Sequence, residues 1–249
     1  MRLKNNNDPH INPDINWAPL LASYIDFCNY KTIVEIGVQY GNTTAQLCEA
    51  ASRIGGKVYG YDFFGKVGAY TGGKIPITPD INDIRSILKS RGYGEDVLKL
   101  TKVNTHSDEF SKILEEDTGG EIDFAFIDGC HSYEGVKKDF LQVYPLLSPE
   151  GTIVFHDTFS HTGPRAFTMD LYNDLNDGTF DVIHLPFGGG PGTHPYCRIG
   201  MVFLVKRGWA KSFGGIINFD HDNFRAEDIY NAESDWYDKQ IREANNKRQ

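Results

Sequence analysis

Positive charge is scarce in this chain, and so are paired cysteines and long apolar runs. Lysine and arginine total 25 against 34 acidic residues, a formal net charge of −9. The basic residues are scattered, with nothing larger than small clusters such as Lys137-Lys138. Binding to a phosphate backbone leaves a basic footprint, so nucleic acid is a poor fit as the main partner. Cys28, Cys48, Cys130 and Cys197 show no paired metal spacing. The first two lie in apolar helical contexts and read as buried thiols. No stretch is long and apolar enough to span a bilayer, and Met1 to Asn16 is polar, without the apolar core of a signal peptide. The expectation is a soluble protein of the reducing cytoplasm.

No internal repeat and no linker divides the 249 residues, which suffice for one large α/β domain. Residues 1–30 read as an arm and a helix, 31–206 as the core, and 207–249 as a polar extension with a terminal helix around Ala232 to Asn245. Trp17 to Tyr30 carries apolar residues at helical spacing. Strands are expected at Thr32–Ile36, Lys57–Tyr61, Val97–Val103, Ile122–Ile127, Thr152–His156, Phe180–Leu185 and Met201–Lys206. Helical patterns at Thr43–Ser52, Ile81–Gly92, Asp108–Glu116 and Tyr133–Leu147 separate the first five. That alternation implies a Rossmann-like, mostly parallel sheet with helices on both faces. The last two strands have only a loop between them and should form an antiparallel hairpin. Two long glycine-bearing loops, Phe63 to Pro79 and Pro186 to Ile199, are lid candidates.

Ligands of open α/β sheets bind beyond the carboxyl ends of the strands. Here the first strand ends in Glu35, the second in Asp62, the third near Asn104 to Ser107, the fourth in Asp128 and the fifth in His156-Asp157. One such carboxylate is more often a turn former or helix cap, but four at equivalent ends of one sheet converge on a site. After Glu35 the chain runs Gly37-Val38-Gln39-Tyr40-Gly41-Asn42-Thr43. The glycines let the backbone turn sharply, and amides at the next helix start can bind a carboxylate or phosphate. A nicotinamide cofactor is the competing reading of Glu35 and Asp62, though a dehydrogenase shows a tighter glycine motif directly after its first strand.

The stretch FAFIDGCHSYEGVKKDFLQVYPLLSPEGTIVFHDT, Phe124 to Thr158, together with the glycine turn, resembles the Rossmann-like S-adenosylmethionine-dependent methyltransferases. It is similar to the metal-dependent O-methyltransferases of the catechol type and of macrolide and aminocoumarin sugars. The resemblance covers residues 31 to 206. It implies a cofactor loop of Glu35, Gly37 and Gly41, with Gln39 where many relatives keep another glycine. Asn42 and Thr43 would face the methionine end. Asp62 would accept from the ribose hydroxyls, with Phe63 beside the adenine and Asn104 to Ser107 flanking it.

The same resemblance implies a divalent metal on Asp128, His156 and Asp157, with Asp128 also near the cofactor. Two carboxylates with waters suit Mg2+, whereas the imidazole shifts preference toward Mn2+, Fe2+ or Zn2+. His131, three residues beyond Asp128, stands where the catechol type has a catalytic lysine. A histidine there is a sensible general base, or else it serves the start of the helix near Ser132. His161 and His194 are fallback bases. Tyr133, Glu134 and Asp139 read as part of the helix and its solvated face. The implied reaction is O-methylation of a small-molecule hydroxyl on a sugar, a phenol or a glycolipid headgroup. Two alternatives stay open: a cephalosporin-hydroxylase-like oxygenase using iron, and a non-catalytic cofactor-binding protein. A homodimer is the weak expectation for assembly.

Overall fold

Alternate residues of the central strands face opposite helical layers, as a period of two requires. Ile33, Phe124, Phe126 and Val154 pack into one apolar cluster, while Val34, Ala125, Ile127, Ile153 and Phe155 pack into another. The computed structural model describes residues 18–64, 80–176, 178–185 and 200–207. Seven strands form one sheet: β1 (Thr32–Ile36), β2 (Lys57–Asp62), β3 (Leu98–Lys102), β4 (Ile122–Ile127), β5 (Leu147–His156), β6 (Phe180–Leu185) and β7 (Met201–Lys206). Their spatial order is β3-β2-β1-β4-β5-β7-β6. The first five run parallel, and β7 lies antiparallel between β5 and β6. The hairpin expected from the sequence is therefore present, with Leu185 paired to Met201.

One face of the sheet is covered by α1 (Ala18–Cys28), α2 (Asn42–Ile54) and α3 (Ile81–Ser90), which bury Leu21, Ile25, Leu47, Ile84 and Leu88. The other is covered by α4 (Phe110–Thr118), α5 (Tyr133–Val143) and α6 (Thr162–Asn173), through Phe110, Leu114, Phe140, Val143, Phe167 and Leu171. Among the described residues no helix is long and apolar enough to cross a membrane.

Three elements depart from the sequence reading. Helix α5 ends at Val143 rather than Leu147, because Pro145 lacks an amide to continue it and a 3-10 turn, Tyr144–Leu146, follows. Strand β5 begins at Leu147 rather than Thr152. It pairs first with Ile122, then bulges through Pro149, Glu150 (φ 64°) and Gly151 before regaining register at Thr152. Helix α6 is an element the sequence reading did not name, and it carries Gly163-Pro164, a pair of helix breakers. In the first turn, however, proline gives up no helical hydrogen bond. Gly163 is there for room: a Cβ on it would lie 2.2 Å from the His131 carbonyl oxygen. The close approach seats the start of α6 on the β4–α5 turn. Most of the two expected loops (residues 65–79 and 186–199), the expected N-terminal arm and the expected helix around Ala232 to Asn245 lie outside the described residues.

Candidate active site

The sheet order brings the carboxyl ends of β2, β1, β4 and β5 side by side. The β1–α2 turn is the tightest part of this edge. Gly37 has φ 91°, and a Cβ there would lie 2.1 Å from the Asp128 carbonyl oxygen. Its amide donates to the Tyr61 carbonyl (2.9 Å), while the Asp128 amide donates to the Ile36 carbonyl (2.8 Å). Gln39 adopts the left-handed region (φ 48°), which a side chain occupies at a cost of about 1 kcal/mol. Its amide is held by the Asp62 carboxylate at 2.8 Å, which fixes the turn. Gly41 (φ 74°) is the N-cap of α2 and brings no side chain to close the first turn. Asn42 and Thr43 therefore open a helix end suited to an anionic group.

Glu35 lies wholly buried on the α2 side of β1. Its Oε2 accepts from the Thr44 hydroxyl at 2.6 Å, and its Oε1 has no hydrogen-bond partner among the described residues. Burial pushes its carboxyl up to about 8 against the Thr44 hydrogen bond, with Asp128 and Asp62 adding to the rise. Asp62 holds two backbone segments, accepting from Gln39 and, at 2.6 Å, from the Phe64 amide. A carboxylate has lone pairs left for a further donor. Phe63 beside it is 54% exposed at the same edge. Beyond β3, Asn104 accepts from the His106 amide through its side chain and from Ser107 through its carbonyl. Asn104 and Ser107 thus build a turn at the adjacent strand end.

At the ends of β4 and β5 carboxylates and imidazoles interlock. His156 Nδ1 lies 3.1 Å from Asp128 Oδ1 and 3.6 Å from Asp157 Oδ1. His131 Nε2 lies 3.5 Å from Asp128 Oδ1 and 3.3 Å from Asp157 Oδ2. Asp157 sits at φ 58°, a strained position of the kind that collects at functional sites. Its Oδ1 accepts from Ser160 at 2.7 Å. Burial works against charge on His156, yet Asp128 and then Asp157 outweigh it and raise the imidazole to about 10. Burial likewise disfavours the Asp128 and Asp157 carboxylates, but the imidazoles hold the first below and the second well below its usual value. A positive charge between the two acids is thus favourable: a protonated His156 would supply it, and a divalent ion on a neutral imidazole would supply it equally, displacing the proton.

Two groupings of these atoms come within 4.8 Å: Asp128, His156 and Asp157, and His131, Asp157 and His161. Ring geometry separates them. His131 and His161 are stacked, with centroids 4.1 Å apart and planes 26° from parallel. Ring lone pairs lie in the ring plane, so two stacked rings are poorly aimed at one shared ion, which sits about 2 Å from each ligating nitrogen. The first grouping suits a divalent metal, and the second leaves His131 and His161 to other work.

The sequence reading kept His161 only as a fallback. His161 lies four residues beyond Asp157, and the turn its amide closes on the Asp157 carbonyl (3.0 Å) brings its Nδ1 to 3.3 Å from Asp157 Oδ2. Asp139 needs correction, because it is fully buried rather than solvated and faces His106. The buried apolar neighbours on α5, Val136, Phe140 and Val143, were the available signal. Ser132, not His131, caps α5, accepting from the Gly135 amide at 3.0 Å. Cys48 is buried as expected, while Cys28 is partly exposed. His194 and Cys197 lie outside the described residues.

Residues 34–158, half of the chain, match the family model described as a methyltransferase domain. The uncharacterized protein y4gI of Sinorhizobium fredii (strain NBRC 101917 / NGR234) is 39% identical over 49 residues, a match spanning 20% of this chain and only 5% of that protein. Among solved structures, the O-methyltransferase from Bacillus cereus in complex with SAH is 16% identical (TM-score 0.56), with 80% of this chain and 84% of that chain covered. Cofactor-bound Rv0187 from MTB is 15% identical (TM-score 0.58; 80% and 83% covered). TomG from Streptomyces achromogenes, an O-methyltransferase of tomaymycin synthesis solved with SAM, is 15% identical (TM-score 0.57; 77% and 79% covered). These likenesses show a shared Rossmann-like fold, and with the match over residues 34–158 the chain belongs to the methyltransferase-domain family.

Proposed function

We propose that this protein transfers a methyl group from S-adenosylmethionine to a hydroxyl of a small molecule, a sugar or a phenol, with a divalent ion at Asp128, His156 and Asp157. The observation that carries the reading is the convergence of the Gly37 turn, the uncapped α2 start and Asp62 beside a cluster of two acids and His156. The cofactor-bound neighbours of the same fold support it.

Gly37 and Gly41 let the backbone approach the cofactor, and the Asn42 and Thr43 amides meet its methionine carboxylate. Asp62 would accept from the ribose hydroxyls, with Phe63 beside the adenine and Asn104 and Ser107 flanking it. A bound divalent ion supplies the Lewis acidity that lowers the acceptor hydroxyl's pKa; Mg2+, Mn2+ and Fe2+ are the candidates. His131 Nε2 takes the hydroxyl proton, and the Asp128 and Asp157 carboxylates that flank it stabilise the resulting imidazolium. The acceptor oxygen attacks the methyl carbon in line. A C–O bond forms, the S–CH3 bond breaks, and S-adenosylhomocysteine leaves. Much of the acceleration comes from holding the two reactants in line.

The test is transfer of labelled methyl from S-adenosylmethionine to panels of sugars and phenols, with Mg2+ or Mn2+ and with chelator. Acceptor-dependent S-adenosylhomocysteine formation that the chelator suppresses is expected. No transfer to any hydroxyl, with oxygen consumption in the presence of Fe2+, would replace this reading with oxygenase chemistry.

A further inference from the structure

One buried pair of ionisable groups has no part in the reaction above. Asp139 on α5 is fully buried, and neither of its carboxylate oxygens has a hydrogen-bond partner among the described residues. His106 in the β3–α4 turn is 7% exposed, and its Nε2 lies 3.4 Å from Asp139 Oδ1, at ion-pair distance. Asp139 Oδ2 points the other way, 3.4 Å from where a Cβ on Gly129 would lie. The pair therefore lies between two turns of the ligand edge.

Helix α5 holds the β3–α4 turn at two points. Asp139 faces His106, and the Gln142 amide donates to the Thr105 carbonyl. Residues 139 and 142 are three apart and share one helical face. The same helix starts at Ser132, directly after the Asp128–His131 turn. Both turns thus take their position from α5. A buried ion pair is a weak device for stability, because well-packed apolar residues do as well or better. Its attested use is to fix one arrangement against others.

We propose that His106 and Asp139 are positioning residues that hold the β3–α4 turn in register with the β4–α5 turn, and so shape the adenosine end of the cofactor pocket. The proposal rests on the methyltransferase reading, which places the cofactor against Asn104 and Ser107.

The test is calorimetric titration of S-adenosylhomocysteine into the full chain, its His106→Gln and Asp139→Asn variants and the double variant, well below their unfolding temperatures. Each single variant should bind about tenfold more weakly, and the double variant no more weakly than either, because the two act as a unit. Adenosine should lose the same factor, while Mn2+ affinity stays within twofold, a split that general loosening of the fold would not produce. Folded variants that bind S-adenosylhomocysteine like the wild type overturn the proposal. Should the variants not fold, the ring nitrogen NMR signals of His106 in the wild type must shift when S-adenosylhomocysteine is added, and unmoved signals overturn it too. A wild type that binds no S-adenosylhomocysteine removes the methyltransferase reading and this proposal together. Wild-type binding with unaffected variants removes the pair alone.

Discussion

Asp128 Oδ1 and His156 Nδ1 meet at 3.1 Å across the ends of neighbouring strands β4 and β5. Ile127 and Phe155 are paired in the parallel ladder, so the next residue of each strand stands at the same level. Register, rather than loop conformation, sets this contact, and Asp128 and His156 of the proposed metal site therefore stand on two paired central strands.

Asp157→Asn should lower divalent-ion affinity at least about tenfold while leaving S-adenosylhomocysteine affinity within a few-fold. Asparagine tolerates the left-handed backbone that Asp157 adopts, so the change removes charge without adding strain. Equilibrium dialysis with Mn2+ checks the first part and calorimetry the second. Loss of both affinities would mean that cofactor and ion share one site.

His131→Ala should cut kcat by roughly 10²–10⁴, the usual worth of a positioned base, with little change in KM for S-adenosylmethionine. A pH–rate profile identical to that of the wild type would reassign the proton to another group, with His161, stacked on the same ring, next in line.

Gly37→Ala and Gly55→Ala make a controlled pair. Both glycines have positive φ, but Gly55 faces open space, whereas a Cβ on Gly37 runs into the Asp128 backbone. Thermal unfolding should show a loss of about 1 kcal/mol for Gly55→Ala and more than about 3 kcal/mol for Gly37→Ala. Equal losses would show that the two turns are not locked together.

The Glu35 carboxyl sits at about 8 in the folded chain against 4.5 ordinarily. Between these values the folded state holds a proton that the unfolded chain has released. The stabilising share of protonated Glu35 is therefore complete below pH 4.5 and lost as pH rises through 8. That share is on the order of 5 kcal/mol at most. Denaturant unfolding of the cofactor-free protein should show Glu35→Gln flattening the fall in stability across this window. A fall as steep as in the wild type would place the titration elsewhere.

The strands were legible because they are short apolar runs closed by polar residues, and Thr32–Ile36, Ile122–Ile127, Phe180–Leu185 and Met201–Lys206 have the expected bounds. The polar strand ends Glu35, Asp62, Asp128 and His156-Asp157 were legible for the same reason. What escaped was non-local. Gly163-Pro164 signals a break by composition, and only the nearness of His131 shows why the second residue of α6 is glycine. Asp139 looks solvated among Lys137, Lys138 and Glu134, because its partner His106 belongs to another turn. The stacking of His161 on His131 likewise depends on where α6 is seated.

The central claim is tested most directly by calorimetric titration of S-adenosylhomocysteine into metal-stripped protein, repeated after adding Mg2+ or Mn2+. Binding at about micromolar Kd, with a heat that changes on adding the metal, is the predicted result. No binding under either condition would contradict the account.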